Sequence, residues 1–219
     1  MTDICPTITA QTKEDFSRQF DLIKPFAQRL HLDFSDNTLA PRQLLDYRLI
    51  ADFLPDDASV RLDAHIMSLD PLPLIKTIDS RRVSLVIVHA EANIDLLSVV
   101  SKLRLDGFKA GVALLQPTSP AVLQPVINLL DHVLIFSGNL GYQGGSFANL
   151  ELISKVKWLK TLRKDLEIGW DGGVNDSNAY LISLGGVDVL NVGGYLQRSA
   201  DAKEAYAKLK SVIKHPNEQ

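Results

Sequence analysis

The sequence is poor in several things. It has one cysteine, Cys5, so no internal disulfide can form; a lone thiol fits a reducing compartment and points to the cytoplasm. No apolar run approaches the ~20 residues that a membrane-spanning helix needs. The opening MTDICPT lacks the basic and apolar regions of a secretory leader. Twenty-three Lys and Arg against 26 Asp and Glu leave a net charge of −3, with neither a basic stripe for nucleic acid nor a long acidic tract. Exact repeats and low-complexity segments are also missing. What remains is a 219-residue chain, 46% hydrophobic, of a length suited to one domain over residues 1–219, with a short polar tail from about residue 214.

Short apolar runs recur along that length: ICPTITA (4–10), LHLDFS (30–35), VRLDAHI (60–66), VSLVIVH (83–89), AGVALL (110–115), HVLIFS (132–137), LEIGWD (166–171) and DVLNV (188–192). A more polar segment with helical spacing follows each, as with Phe16, Phe20 and Ile23, or Leu96, Val99, Val100 and Leu103. Strands alternating with helices imply a parallel sheet covered by helices. Eight such units match a (β/α)8 TIM barrel near its lower size limit. The rival is an open doubly wound sheet; its dinucleotide-binding form places glycines after the first strand, and CPTITAQT has none.

Side chains at every second position of a strand share a face. His31, Asp33 and Ser35 therefore fall on one face of strand two, and Asp63, His65 and Met67 on one face of strand three. Strand seven ends in Asp171. Burying such groups is costly unless they bond to something, so they form either a hydrogen-bond network or a ligand or metal site. Two imidazoles and two carboxylates suit one divalent ion of zinc, manganese, iron or cobalt. In a ring of eight, strands two and seven can bring Asp33 and Asp171 to different sides of a ligand, as a base and an acid. A metal beside them would stabilise the charge formed when a proton leaves carbon next to a carbonyl. Glycines cluster at the last three strand ends: Gly138, Gly141, Gly144 and Gly145, then Gly172 and Gly173, then Gly193 and Gly194. Such turns either form mobile loops or let backbone N–H groups approach a phosphate.

These motifs together resemble the ribulose-phosphate 3-epimerase family of TIM barrels, from Pro6 to about Gly194. HLDFSD carries His31, Asp33 and Asp36 of its second-strand signature; DAHIM, DGGV (171–174) and NLGYQGGSF (139–147) match its third, seventh and sixth. The resemblance implies that His31, Asp33, His65 and Asp171 bind one divalent metal, with Asp33 and Asp171 as the acid/base pair. It implies substrate or phosphate contacts at Thr7, His65, Gly141, Gly144, Gly145, Gly172, Gly173, Gly193 and Gly194. It further implies a sugar-phosphate substrate, interconversion of D-ribulose 5-phosphate and D-xylulose 5-phosphate in the pentose phosphate pathway, and a homo-oligomer. A hexulose-phosphate 3-epimerase would use the same chemistry, and a non-catalytic sugar-phosphate-binding paralogue would keep the same residues. Of the family's cavity methionines only Met67 is present; Ser35 and Phe136 take two of those positions. Leu140 replaces a loop proline, Gln143 interrupts the glycine run, Gly194 replaces a frequent serine, and Gly169 replaces an acidic residue. His89 and Glu91 read as rim hydrogen bonding, Trp158 and Trp170 as packing, and Cys5 as a small buried apolar group.

Overall fold

A computed structural model describes residues 2–54 and 60–214. The polar tail expected at the C-terminus therefore lies almost wholly outside the described residues. Eight parallel strands close into a barrel in chain order: β1 (Asp3–Ile8), β2 (Arg29–Ser35), β3 (Arg61–Met67), β4 (Val83–His89), β5 (Lys109–Leu114), β6 (His132–Phe136), β7 (Glu167–Asp171) and β8 (Val189–Val192), with β8 pairing back to β1. This is the (β/α)8 barrel. No helix among the described residues is long and apolar enough to cross a membrane.

Helices α1 (Lys13–Ile23), α4 (Leu96–Leu105), α5 (Ile153–Leu162), α6 (Ala179–Leu184) and α8 (Ala202–Lys214) cover the barrel, with the one-turn helices α2 (Tyr47–Ile50), α3 (Leu72–Ile75) and α7 (Gly194–Gln197) between them. In α1 the Thr12 hydroxyl accepts from the Asp15 N–H, a cap of the kind that contributes about 1 kcal/mol, and Phe16, Phe20 and Ile23 face the sheet. The helix expected after β5 is absent. Pro117, Pro120 and Pro125 remove donors and break the helical ladder, and two 3-10 turns, Pro120–Leu123 and Ile127–Leu129, take its place. Prolines 71 and 73 similarly crowd α3.

Strand alternation sorts the side chains into two layers. Leu30, Leu32 and Phe34 of β2, and Leu62, Ala64 and Ile66 of β3, pack outward into the main core with the helices. Leu85, Ile87, Ala113, Leu134 and Phe136 form a separate apolar cluster, one wall of the barrel interior. The opposite wall is polar. Low in it, Arg29 Nε donates to Asp63 Oδ2 at 2.5 Å and its two Nη atoms reach Glu167 at 2.9 and 3.1 Å, while His132 Nδ1 lies 2.8 Å from Glu167. Asp63 thus belongs to the barrel floor and not to the mouth. A Cβ at Gly169 would lie 2.5 Å from His132 Nε2, so the imidazole fills the space an acidic side chain would need.

Candidate functional site

The strand register places the site. His31 is paired with Thr7 and Asp63, Asp33 with His65, and Asp171 with Phe136 and Asn191, so inward side chains of β1, β2, β3, β7 and β8 converge near the C-terminal mouth. His31, Asp33, His65 and Asp171 each offer one ligand-capable atom within 4.8 Å of the others. His31 Nε2 stands 3.4 Å from Asp33 Oδ1 and 3.6 Å from Asp171 Oδ2, and His65 Nδ1 lies 2.9 Å from Asp33 Oδ1. His31 is fully buried with neither ring nitrogen hydrogen-bonded, a costly arrangement unless a cation occupies the space between donors. The four residues fit a divalent metal by donor type, by convergence and by this orphaned imidazole.

The two carboxylates differ. Burial works to raise both. Around Asp33 the imidazoles of His31 and His65 outweigh it and hold the group well below the usual carboxylate range, and Thr9 Oγ1 donates to its Oδ2 at 2.6 Å. Around Asp171 burial and the negative charge of Asp33 prevail over His31, and its carboxyl is pushed up. His31 is raised, because burial is outweighed by Asp33, Asp171 and Asp63; His65 is lowered to about 4 by burial, by His89 and by His31.

Above the cluster lies a cavity of about 220 Å³. Thr7, Asp33, Met67, Phe136 and Asp171 line it, as do Gly141, Gly144, Gly145, Gly172, Gly173, Gly193 and Gly194, so the glycine loops of β6, β7 and β8 do meet. Gly172 and Gly173 have φ of 110° and 73°, a region that strains other residues, and a Cβ on either would strike backbone at 2.1 Å. Gln143, which interrupts the glycine run, donates to the Thr7 carbonyl at 2.9 Å and ties this loop to β1. Two signature residues stand apart. Ser35 does not line the cavity, since its hydroxyl accepts from the Asn37 N–H in a turn. Asp36 accepts from Thr38 and Ser68 at the rim.

Sequence reasoning passed over other contributors. His89 is buried beside His65, with Nε2 atoms 2.8 Å apart, and its Nδ1 faces Glu91 at 3.1 Å; the hydrogen bonding expected of His89 and Glu91 is there, and the contact to His65 comes in addition. Asn191 lines the cavity with both side-chain polar atoms unpartnered, and its place as a polar residue inside the apolar run DVLNV was the available signal. Thr9 offered a similar one. Cys5 is fully buried, its thiol pushed up first by burial, and Trp170 is buried with Nε1 bonded to the Gly172 carbonyl, both as expected.

A closed eight-stranded barrel with a metal-capable His/Asp cluster under a glycine-lined mouth has the architecture of a (β/α)8 barrel enzyme. The profile described as the ribulose-phosphate 3 epimerase family matches residues 3–197, and the chain belongs to that family, an isomerase class. It is 30% identical over 195 residues to the ribulose-phosphate 3-epimerase of Bacillus subtilis (strain 168), covering 87% of this chain and 89% of that one. It is 34% identical over 167 residues to the enzyme of the same name from Rhodospirillum rubrum, covering 75% and 73%. Among solved structures, KGPDC from Streptococcus mutans superposes with a TM-score of 0.70 at 12% identity, covering 98% of each chain, a likeness of fold.

Proposed function

We propose that the protein is a metal-dependent 3-epimerase of a ketose phosphate, acting on D-ribulose 5-phosphate and D-xylulose 5-phosphate. The observation that carries the reading is the convergence of His31, Asp33, His65 and Asp171 on one point beneath a glycine-lined cavity. Curated relatives over most of the chain bear this name.

In this reading, one of Asp33 and Asp171 removes the proton at C3, leaving an ene-diolate, and the other returns a proton to the opposite face, inverting the centre. The roles exchange with direction. Asp33, held ionised, and Asp171, inclined to keep a proton, are matched to a base and an acid. The imidazoles of His31 and His65 and the two aspartates would hold a zinc, manganese, iron or cobalt ion, which supplies positive charge against the charge developing beside the carbonyl. Thr7 and Asn191 offer polar atoms to the sugar hydroxyls, and Met67 and Phe136 exclude water from one side. The glycine loops receive the phosphate through backbone N–H groups. Cytoplasmic residence and a homo-oligomeric state belong to the same reading.

The test is C3 exchange of D-ribulose 5-phosphate in deuterated water, followed by NMR with the metal-loaded protein. Wild-type exchange with xylulose 5-phosphate formation, lost in Asp33→Asn and Asp171→Asn, is expected. Near-normal exchange in both variants overturns the assigned roles. Binding of ketose phosphates without exchange in the wild type would favour a non-catalytic paralogue, and exchange with a hexulose phosphate alone would move the substrate to six carbons.

A further inference from the structure

The glycine cradle contains one side chain that the sequence motifs do not account for. Arg198 follows α7, four residues after Gly194, and its N–H donates to the Gly194 carbonyl at 3.2 Å. Side chains on a helical turn lean back toward the N-terminal end, so the guanidinium lies over the preceding glycine. A Cβ added at Gly194 would lie 2.7 and 2.8 Å from the two Nη atoms of Arg198, and one at Gly144 would lie 2.1 Å from Nη1. The guanidinium therefore sits between the β6 and β8 loops, in volume that exists because both positions lack side chains. A Cβ at 194 would also fall 2.7 Å from the Gly144 Cα, so glycine there, where the family often has serine, suits the close approach of the two loops as well as the arginine.

Arg198 lines the same cavity as Asp33 and Asp171. Among the described residues no carboxylate pairs with it, although most other arginines here have one, as Arg29, Arg48, Arg81, Arg104 and Arg163 do. Arg198 is exposed at the mouth, where an incoming dianion can reach its guanidinium beside the glycine loops. Its planar fork can give two parallel hydrogen bonds to phosphate oxygens, where a glycine loop alone offers only amide dipoles.

We propose that Arg198 is a phosphate-binding and specificity-determining residue, adding a formal charge and a bidentate contact to the glycine cradle. This rests on the sugar-phosphate reading for the substrate, but the contact is testable without turnover. Calorimetric titration of the purified protein with inorganic phosphate is the direct experiment, comparing wild type, Arg198→Ala, Arg198→Lys and, as a control for loss of one positive charge away from the cavity, Arg81→Ala at matched metal loading. A tenfold or greater rise in Kd for Arg198→Ala, partial recovery in Arg198→Lys and little change in Arg81→Ala are expected. In turnover, Arg198→Ala should raise KM for the phosphorylated ketose far more than it lowers kcat, and leave any activity on unphosphorylated D-ribulose unaltered. Wild-type phosphate affinity in a folded Arg198→Ala, or no phosphate binding by the wild type, overturns the proposal. If the alanine variant fails to fold, Arg198→Gln decides in its place. Failure of epimerisation with the arginine-dependent phosphate binding intact would reject the catalytic reading alone.

Discussion

Nε2 of His65 lies 2.8 Å from Nε2 of His89, and the far nitrogen of His89 faces the Glu91 carboxylate. A carboxylate accepts, so His89 Nδ1 carries the proton. In neutral His89 the Nε2 then accepts, His65 Nε2 donates, and a lone pair is left on His65 Nδ1. Without a cation, His65 Nδ1 would instead carry a proton toward Asp33 Oδ1 at 2.9 Å, the contact that helps hold that carboxylate ionised; a bound cation would take the place of that proton and select the tautomer with the lone pair. Glu91→Gln removes the fixed acceptor at the end of this chain. Its metal affinity should fall by about 10- to 100-fold, measured by competition with a chelator. An unchanged affinity would show that the chain does not orient His65.

Thr9 makes a 2.6 Å hydrogen bond to Asp33 Oδ2. Bonds to a charged group contribute about 1.5–3 kcal/mol, so Thr9→Val should lower kcat/KM by about ten- to a hundredfold. Because the bond favours the ionised carboxylate, its loss should also move the acid limb of the kcat/KM profile upward in pH. A lower rate with an unmoved limb would assign Thr9 to packing.

Gly172 and Gly145 provide a matched pair of substitutions. Both have positive φ, and alanine there costs about 1–2 kcal/mol from conformation alone. A Cβ at Gly145 meets nothing within 4 Å, whereas at Gly172 it falls 2.1 Å from the Gly138 nitrogen. Gly172→Ala should therefore lower the urea midpoint clearly more than Gly145→Ala. Equal shifts would mean that the β6 and β7 loops yield freely.

The barrel floor predicts an acid-sensitive fold. Burial would raise Glu167, but His132 and Arg29 overcome it and hold the carboxyl well below its usual range. A depressed carboxylate stabilises above its unfolded value, near 4.5, and loses that contribution as pH falls from there toward its folded value. His132 is lowered, first by burial, so the unfolded chain takes up its proton first as pH falls below about 6.5. Both effects have the same sign. Asp171, pushed up, works in the opposite sense between about pH 7 and its unfolded value, so the comparison is between wild type and Glu167→Gln: the variant should melt lower near neutrality, and the gap should shrink as pH falls below about 4.5. A slope unchanged in the variant would place the acid sensitivity elsewhere.

The strands and the metal-capable cluster were legible in the sequence because alternation with period two is local: HLDFS and DAHIM declare which side chains share a face. Depth along the barrel is not local. Asp63 shares a face with His65 but stands two residues lower, about 6.6 Å down the strand, where Arg29 and not the mouth is its neighbour. The His65–His89 contact crosses from β3 to β4, and the Arg198–Gly144 approach joins segments 54 positions apart, so neither has a periodic signature. The β5–β6 connection misled for a local reason: its apolar spacing suggested a helix that three prolines forbid.

The charged floor makes the barrel a blind vessel. With Arg29, Asp63, His132 and Glu167 plugging one end, molecules enter and leave by the same mouth. In the proposed epimerisation, substrate and product would take turns at that single doorway. Each would then obstruct the other's entry, and product would inhibit competitively with substrate.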